Sequence, residues 1–191
     1  MAQNLEHRDF YNPAFDKLAR ELGRVTLAWN DLHVSLSGLF AAILKIPNRM
    51  TPGAIWDAIK VDRTQRDILT SLSQTNALGH RLPEKAKADI KFLMSELNTL
   101  QEYRNNLIHS PYLLSGSDVV VYHGGTHVRA LSLAKRDLMK ECTSVYASIM
   151  MLRNFASELE EAIQDHRSTW PQRPLSLRNQ RSNGTTQPRQ A

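Results

Sequence analysis

The sequence predicts an all-α fold: an antiparallel four-helix bundle with a short β-hairpin inserted between the third and fourth helices. Two observations support this prediction. Apolar residues recur at alternating steps of three and four along three long stretches, the spacing that places them on one face of a helix. Short connections containing proline or glycine separate the predicted helices, and short connections favour antiparallel neighbours.

The first predicted helix begins at Asn12-Pro13, with asparagine as the cap and proline at the first helical position. We expect it to run to about Ile46 and to stop at Pro47. Because its stripe is longer than a compact core needs, we expect it to pack along a long partner helix. The stripe consists of Phe15, Leu18, Leu22, Val25, Trp29, Leu32, Leu36, Leu39 and Ile43.

The second predicted helix opens at Thr51-Pro52, and its apolar positions continue to Leu72. A polar band, residues 62–67, interrupts them. One interpretation is an exposed ion pair between Asp62 and Arg66, which are four residues apart. The alternative is that the band lines a cavity shared with the third helix.

The third predicted helix begins at Pro83 and ends at His109, because Pro111 disfavours helical geometry at the residue before it. After it, residues 119–123 and 126–130 flank Gly124-Gly125, which is typical of a hairpin. The fourth helix begins between residues 132 and 137 and runs to about residue 164. We therefore expect an N-terminal arm (1–12), a helical bundle (13–166) and a disordered basic tail (167–191).

Composition restricts the classes of function. Residues 167–191 carry five arginines and no acid, whereas residues 1–166 carry equal numbers of acidic and basic residues, so attraction of RNA to the body requires local charge. We find no run of about eighteen apolar residues and no secretory signal. The single cysteine, Cys142, falls on the apolar stripe of the fourth helix, which favours a buried structural residue and a cytoplasmic location.

A charged residue interrupts the apolar stripe of the third helix. Ile90, Leu93, Leu97 and Leu100 follow helical spacing, and the next residue in phase is Arg104. A guanidinium directed inward requires an anion, an acidic side chain or a second subunit against it. In the last helical turn comes His109, where the helix dipole favours a protonated imidazole.

The sequence Arg104-Asn105-Asn106-Leu107-Ile108-His109, late in a bundle helix, resembles the motif of the HEPN superfamily, the higher eukaryotes and prokaryotes nucleotide-binding domain. That motif is an arginine, four to six residues and a histidine, commonly with a polar residue after the arginine. The resemblance covers about residues 13–165. It implies a metal-independent endoribonuclease without a cofactor, whose site is shared between the two subunits of a homodimer.

The chemistry of RNA cleavage explains the residue types in this motif. Cleavage needs a base for the 2′-OH, an acid for the leaving 5′-oxygen and positive charge on the phosphate. We assign acid–base chemistry to His109, phosphate binding to Arg104, and orientation of His109 or phosphate to Asn105. Glu102 and Asn106 are possible supporting residues.

The resemblance further implies a bacterial toxin or phage-defence effector with RNA as substrate, an antitoxin or inhibitor protein as possible partner and no membrane association. Two alternatives remain. One is a non-catalytic HEPN bundle that binds a nucleotide or a protein, with Arg104 paired to an acid such as Asp62. The other is an unrelated helical scaffold whose basic tail docks on a partner.

Three of the six histidines outside the motif have polar or histidine neighbours that could suggest a site. His33, with Asn30 and Asp31, lies at the edge of the first stripe, and we interpret it mainly as a solvated or interface residue. His123 and His127 flank the Gly-Gly pair without a cysteine or carboxylate at ligand spacing, so we predict exposed turn residues and no metal site.

Overall fold

The computed structural model describes residues 12–46, 48, 50–75, 82–122, 128–165 and 169–177. Within these residues the chain is mostly helical and has one small antiparallel sheet, which confirms the all-α prediction at this level. In chain order the elements are α1 (Pro13–Leu44), α2 (Met50–Ala58), α3 (Asp62–Gln74), α4 (Glu84–His109), β1 (Tyr112–Ser115), β2 (Asp118–Val121), α5 (Val128–Leu133) and α6 (Leu138–Asp165).

Helix α1 begins where the sequence predicts. The Asn12 side chain caps it by accepting a hydrogen bond of 2.9 Å from the backbone N–H of Ala14. The helix ends at Leu44, because Lys45 adopts a left-handed conformation (φ 52°) and its N–H bonds back to the last turn. The end therefore comes two residues before the predicted one, while Pro47 lies outside the described residues.

The core is built mainly from α1, α4 and α6. Helix α6 is the long partner expected for α1, and the two pack along each other more extensively than any other pair of described helices. Helix α4 also packs on α6. Fully buried side chains at this centre include Leu32, Leu36, Ile90, Leu93, Ile149 and Leu152.

Helix α1 is also long and apolar enough to cross a bilayer by length and composition, with a mean hydropathy of 1.3 over its most apolar window. This differs from the expectation that the chain has no such run. Over half of that window, 56%, is buried inside the fold. The core helix of a soluble protein has the same length and composition.

The prediction of a single second helix is wrong, because the helix is interrupted between α2 and α3. The Gln65 side-chain amide donates to the backbone oxygens of Trp56 and Ile59, each at 3.0 Å, and so satisfies carbonyls at the end of α2. The break also changes the helical phase. Ile55, one of the apolar residues of the predicted helix, is 46% exposed.

The predicted Asp62–Arg66 ion pair is wrong as well. Arg66 is only 2% exposed, and its guanidinium donates to the side-chain oxygens of Asn98 (3.1 Å) and Gln101 on α4. The ion pair on α3 joins Arg63 and Asp67 instead, at 3.9 Å.

The hairpin exists but lies earlier in the chain than predicted. Strand β1 pairs with β2, with Tyr112 opposite Val121 and Ser115 opposite Asp118. Gly116 has a φ of 65° in the two-residue turn, a conformation that glycine adopts without steric cost. Of the predicted second strand, residues 128–130 form the start of α5. The predicted Gly-Gly turn and both flanking histidines lie outside the described residues.

The prediction of disorder from residue 167 is wrong for residues 169–177, which we call the C-terminal segment. Trp170 and Arg173 donate to the buried carboxylate of Asp89, with a Trp170 distance of 2.6 Å. The Ser176 hydroxyl (2.8 Å) and the Leu177 N–H (2.7 Å) are hydrogen-bonded to Glu96. The segment therefore covers α4 and provides partners for two of its carboxylates. Residues 178–191 lie outside the described part of the chain.

Candidate functional site

Arg104 lies where the apolar stripe of α4 leaves the core. Leu100 and Leu97, one and two turns before it, are fully buried, whereas Arg104 is only half-buried. Its guanidinium carbon lies 5.6 Å from the centroid of the Trp29 ring on α1, within the range of a cation–π contact. The arginine is thus directed towards α1, as the inward phase predicts, but it lies at the edge of the core.

A groove of about 530 Å³ opens beside this arginine. It is bounded by α1, by the α2–α3 connection and by α4. Asn30, Val34, Ser37 and Ile59 contribute to its walls, and its charged residues are Asp57, Lys60, Asp62 and Arg104. Opposite charges therefore balance in the groove, and its volume is in the range of small-molecule sites.

The Arg104 guanidinium has unused hydrogen-bonding capacity. One terminal nitrogen, Nη1, donates to Asn105 Oδ1 at 3.0 Å. Nε is buried and has no hydrogen-bond partner among the described residues. Within the same residues, no carboxylate lies within ion-pair distance of Arg104. A buried donor without a partner is unfavourable. This arginine therefore remains available for an anionic ligand.

Asp62 lines the same groove but does not pair with Arg104. Its Oδ2 accepts a hydrogen bond of 3.1 Å from Trp29 Nε1 and lies 3.6 Å from His33 Nε2. The alternative in which Arg104 is neutralised by Asp62 is wrong. The idea that the polar band lines the arginine's cavity is correct for Asp62 and Gln65, whereas Arg66 is directed towards α4.

His33 also lines the groove, so the interpretation as a solvated surface residue is wrong. Its Nδ1 lies 3.0 Å from Gln65 Oε1, and its ring stacks obliquely on Trp29 with the centroids 5.4 Å apart. Burial lowers the pKa of His33; Asp62 and Gln65 oppose this effect, and the nearby Arg66 and Arg104 add to it. His33 is therefore mostly neutral at pH 7.

His33 could have been found from the sequence by combining two signals. Trp29 and His33 are one helical turn apart, and the polar band at 62–67 interrupts the apolar positions of the second predicted helix. Of its predicted companions, Asn30 lines the groove, but Asp31 pairs with Arg153 of α6 at 3.0 Å.

The other motif residues surround the end of α4. His109 is the last residue of the helix, as predicted; it is exposed and does not line the groove that holds Arg104. Asn105 and Asn106 are half-buried, and Glu102 is exposed. The Ser110 hydroxyl donates to the Asn106 backbone oxygen and so caps the helix end. One subunit therefore does not bring Arg104 and His109 into one groove.

No family model, curated protein or solved structure matches this chain.

Proposed function

We propose that this protein is a metal-independent endoribonuclease of the HEPN type, in which α1, α3, α4 and α6 are the four bundle helices. The observation that carries the proposal is the state of Arg104. Its guanidinium borders a groove, has a buried Nε without a partner among the described residues, and is not neutralised by the nearby Asp62. An RNA phosphate would supply the missing acceptor.

The proposed site is shared between two subunits. His109 is exposed at the end of α4, outside the groove of its own Arg104. A second copy of the chain can present its own His109 to that groove, which accounts for an arginine and a histidine that act together but lie apart in one subunit. Two copies also bring two Arg104 and two His109 side chains together on a neutral body.

In the proposed reaction the RNA 2′-OH attacks the adjacent phosphorus and the 5′-oxygen leaves. Arg104 stabilises the charge on the non-bridging oxygens, and Asn105 holds the guanidinium through the 3.0 Å hydrogen bond. His109 of the partner subunit takes the proton from the 2′-OH and then donates it to the leaving 5′-oxygen. Glu102 and Asn106 support the end of α4, and no cofactor takes part.

The biological part of the proposal is an effector in the bacterial cytoplasm, a toxin or phage-defence protein held in check by an antitoxin or inhibitor. It follows from the HEPN resemblance alone, since a fold does not determine a biological role.

A cleavage assay tests the enzymatic proposal. Purified protein is incubated with single-stranded RNA in excess chelator, alongside Arg104→Ala, His109→Ala and the control Arg63→Ala, which removes an exposed arginine of α3. We expect chelator-resistant cleavage that falls by about 10²-fold or more in each site variant and is unchanged in the control. Wild-type protein that is folded and cleaves no RNA would overturn the proposal.

A second candidate is a non-catalytic bundle that binds a nucleotide or a protein partner. The observation that favours it is that His109 lies outside the groove while Asn30 and Ser37 line it together with Arg104, as in a binding pocket. Nucleotide binding that depends on Arg104, without RNA cleavage in the same preparation, would favour this candidate.

A further inference from the structure

The groove beside Arg104 contains a titratable residue that the arginine–histidine motif does not include. His33 on α1 lines it together with Asp62 and Gln65 of α3. Its side chain is 15% exposed, and Nε2 is buried without a hydrogen-bond partner among the described residues. Two buried nitrogens, this one and Arg104 Nε, therefore lack partners at the same groove.

Gln65 determines which nitrogen of His33 carries the proton in the neutral ring. The Gln65 Nε2 donates to the backbone oxygens of Trp56 and Ile59, so its Oε1 is directed at His33 and acts as an acceptor. His33 Nδ1 must then be the donor of the 3.0 Å hydrogen bond. Nε2 then carries the lone pair and lies 3.6 Å from Asp62 Oδ2, which is within ion-pair distance for a protonated ring.

We propose that His33 is a positioning residue of the Arg104 site, which takes up a proton onto Nε2 when a phosphodiester binds to Arg104 in the same groove. Protonated Nε2 then donates to Asp62, and the imidazolium offsets the added negative charge. This inference rests on the proposed function only in taking the ligand to be the RNA backbone.

The charges around His33 explain this coupling. Asp62 and Arg66 face it from α3 and Arg104 faces it from α4, while Asp57 and Lys60 line the same groove. In the free protein the four charged groups of the groove balance. A phosphodiester on Arg104 makes the groove negative and removes much of the repulsion between Arg104 and a cationic His33, so protonation becomes favourable.

The sign of the resulting pH dependence follows from linkage. Burial and the two arginines hold the pKa of free His33 below its usual value of 6.5. A bound phosphodiester raises that pKa, and by reciprocity a protonated His33 binds the phosphodiester more tightly. Affinity should therefore increase as the pH falls from 8 to 5.5. A phosphodiester keeps the same charge over this range, so the change must come from the protein.

The probe for this test is a ten-nucleotide oligomer of deoxythymidine, which lacks the 2′-OH and so cannot be cleaved by the proposed reaction. Its affinity is measured calorimetrically at several pH values at constant salt. We expect affinity for the wild type to rise about fivefold or more as the pH falls, and to be nearly independent of pH in His33→Asn. The asparagine amide can still donate to Gln65 but does not titrate.

A matched pair of acidic variants tests the role of Asp62. Asp62→Asn removes the negative charge that faces protonated Nε2, and Asp31→Asn removes a similarly exposed carboxylate on α1 that pairs with Arg153 outside the groove. We expect Asp62→Asn to weaken the pH dependence and Asp31→Asn to leave it unchanged. Equal slopes in His33→Asn and the wild type, pH-independent binding to the wild type, or no binding would each overturn the inference.

A direct measurement does not depend on how well the variants fold. The ring nitrogens of His33 are titrated by NMR in the wild-type protein, with and without the deoxyoligomer. We expect the His33 pKa to rise in its presence, and an unchanged pKa would overturn the inference. Proton-linked binding in a protein that cleaves no RNA would refute only the proposed nuclease. RNA cleavage by a protein whose His33 pKa does not change on binding would refute only the role of His33.

Discussion

Arg66 and Arg104 both lie in phase with the apolar stripe of a predicted helix, but they have different roles. Arg66 is 2% exposed, and two side-chain oxygens of α4 accept its hydrogen bonds. Each guanidinium keeps one buried nitrogen without a partner among the described residues, but Arg104 is half-buried, has one side-chain acceptor and borders the groove. A guanidinium is retained in a core when it has partners, so Arg66 joins α3 to α4, whereas Arg104 is available to a ligand.

Alanine substitutions at the two glycines of α1 should have different effects on stability. A Cβ at Gly23 would meet no atom within 4 Å, whereas one at Gly38 would collide with the Glu160 carboxylate of α6. Alanine is favoured over glycine inside a helix by about 1 kcal/mol. We expect Gly23→Ala to raise the free energy of unfolding by up to about that amount. Gly38→Ala should give a smaller gain or a loss, because Glu160 must move.

Urea denaturation of the wild type and both glycine variants measures the difference. Equal stabilisation by the two substitutions would contradict the close approach of α1 and α6 at Gly38.

Cys142 should be unreactive in the folded protein. It is fully buried, as predicted, and burial, with smaller contributions from Glu21 and Glu141, raises the pKa of its thiol to about 11. Because the thiolate is the reactive form, we expect a thiol reagent at pH 8 to label it only as fast as the protein opens. Labelling is compared in buffer and in denaturing urea, and rapid labelling in buffer would contradict the burial.

At the scale of elements, α4 connects the parts of the molecule. It contributes core leucines, accepts hydrogen bonds from Arg66, carries the motif, and is covered by the C-terminal segment. The segment matters because Asp89 and Glu96 of α4 are 1% and 5% exposed. Buried carboxylates require partners, and this segment provides them.

Two truncations separate the C-terminal segment from the residues after it. A chain ending at residue 177 keeps every described contact of the segment, so we expect the stability of the full chain. A chain ending at residue 168 removes the partners of Asp89 and Glu96 and uncovers α4, which should cost about 2 kcal/mol or more. Thermal and urea unfolding compare the three chains. Equal stability of the 168-residue chain would show that the segment contributes little.

At the scale of the whole molecule, a shared site predicts complementation between inactive subunits. Arg104→Ala and His109→Ala proteins should each be inactive alone. The two proteins are mixed so that their subunits exchange. Each mixed dimer then contains one site with an intact Arg104 and the partner subunit's intact His109. With random pairing we expect about a quarter of wild-type activity to return.

Light scattering gives the matching physical measurement for the dimer. We expect twice the chain mass at micromolar concentration. A monomer that retains full activity, or the absence of recovery in mixtures shown to contain mixed dimers, would contradict the shared site.

Apolar periodicity, together with residues that begin or end helices, determined the long helices. The alternating three- and four-residue steps placed α1, α4 and α6, the Asn12 cap and Pro111 located two helix ends within a residue or two, and the interrupted stripe singled out Arg104. These features depend on residues close together in the chain, which is why a sequence pattern can reveal them.

Only the tertiary structure decided which polar residues meet. Gln65 satisfies carbonyls at the end of α2, His33 lies in the groove of Arg104, and the C-terminal segment packs on α4. These contacts join residues on separate elements, in several cases more than thirty positions apart, so local sequence does not reveal them. Helical spacing determines which way one side chain faces, whereas its partner depends on how the helices pack.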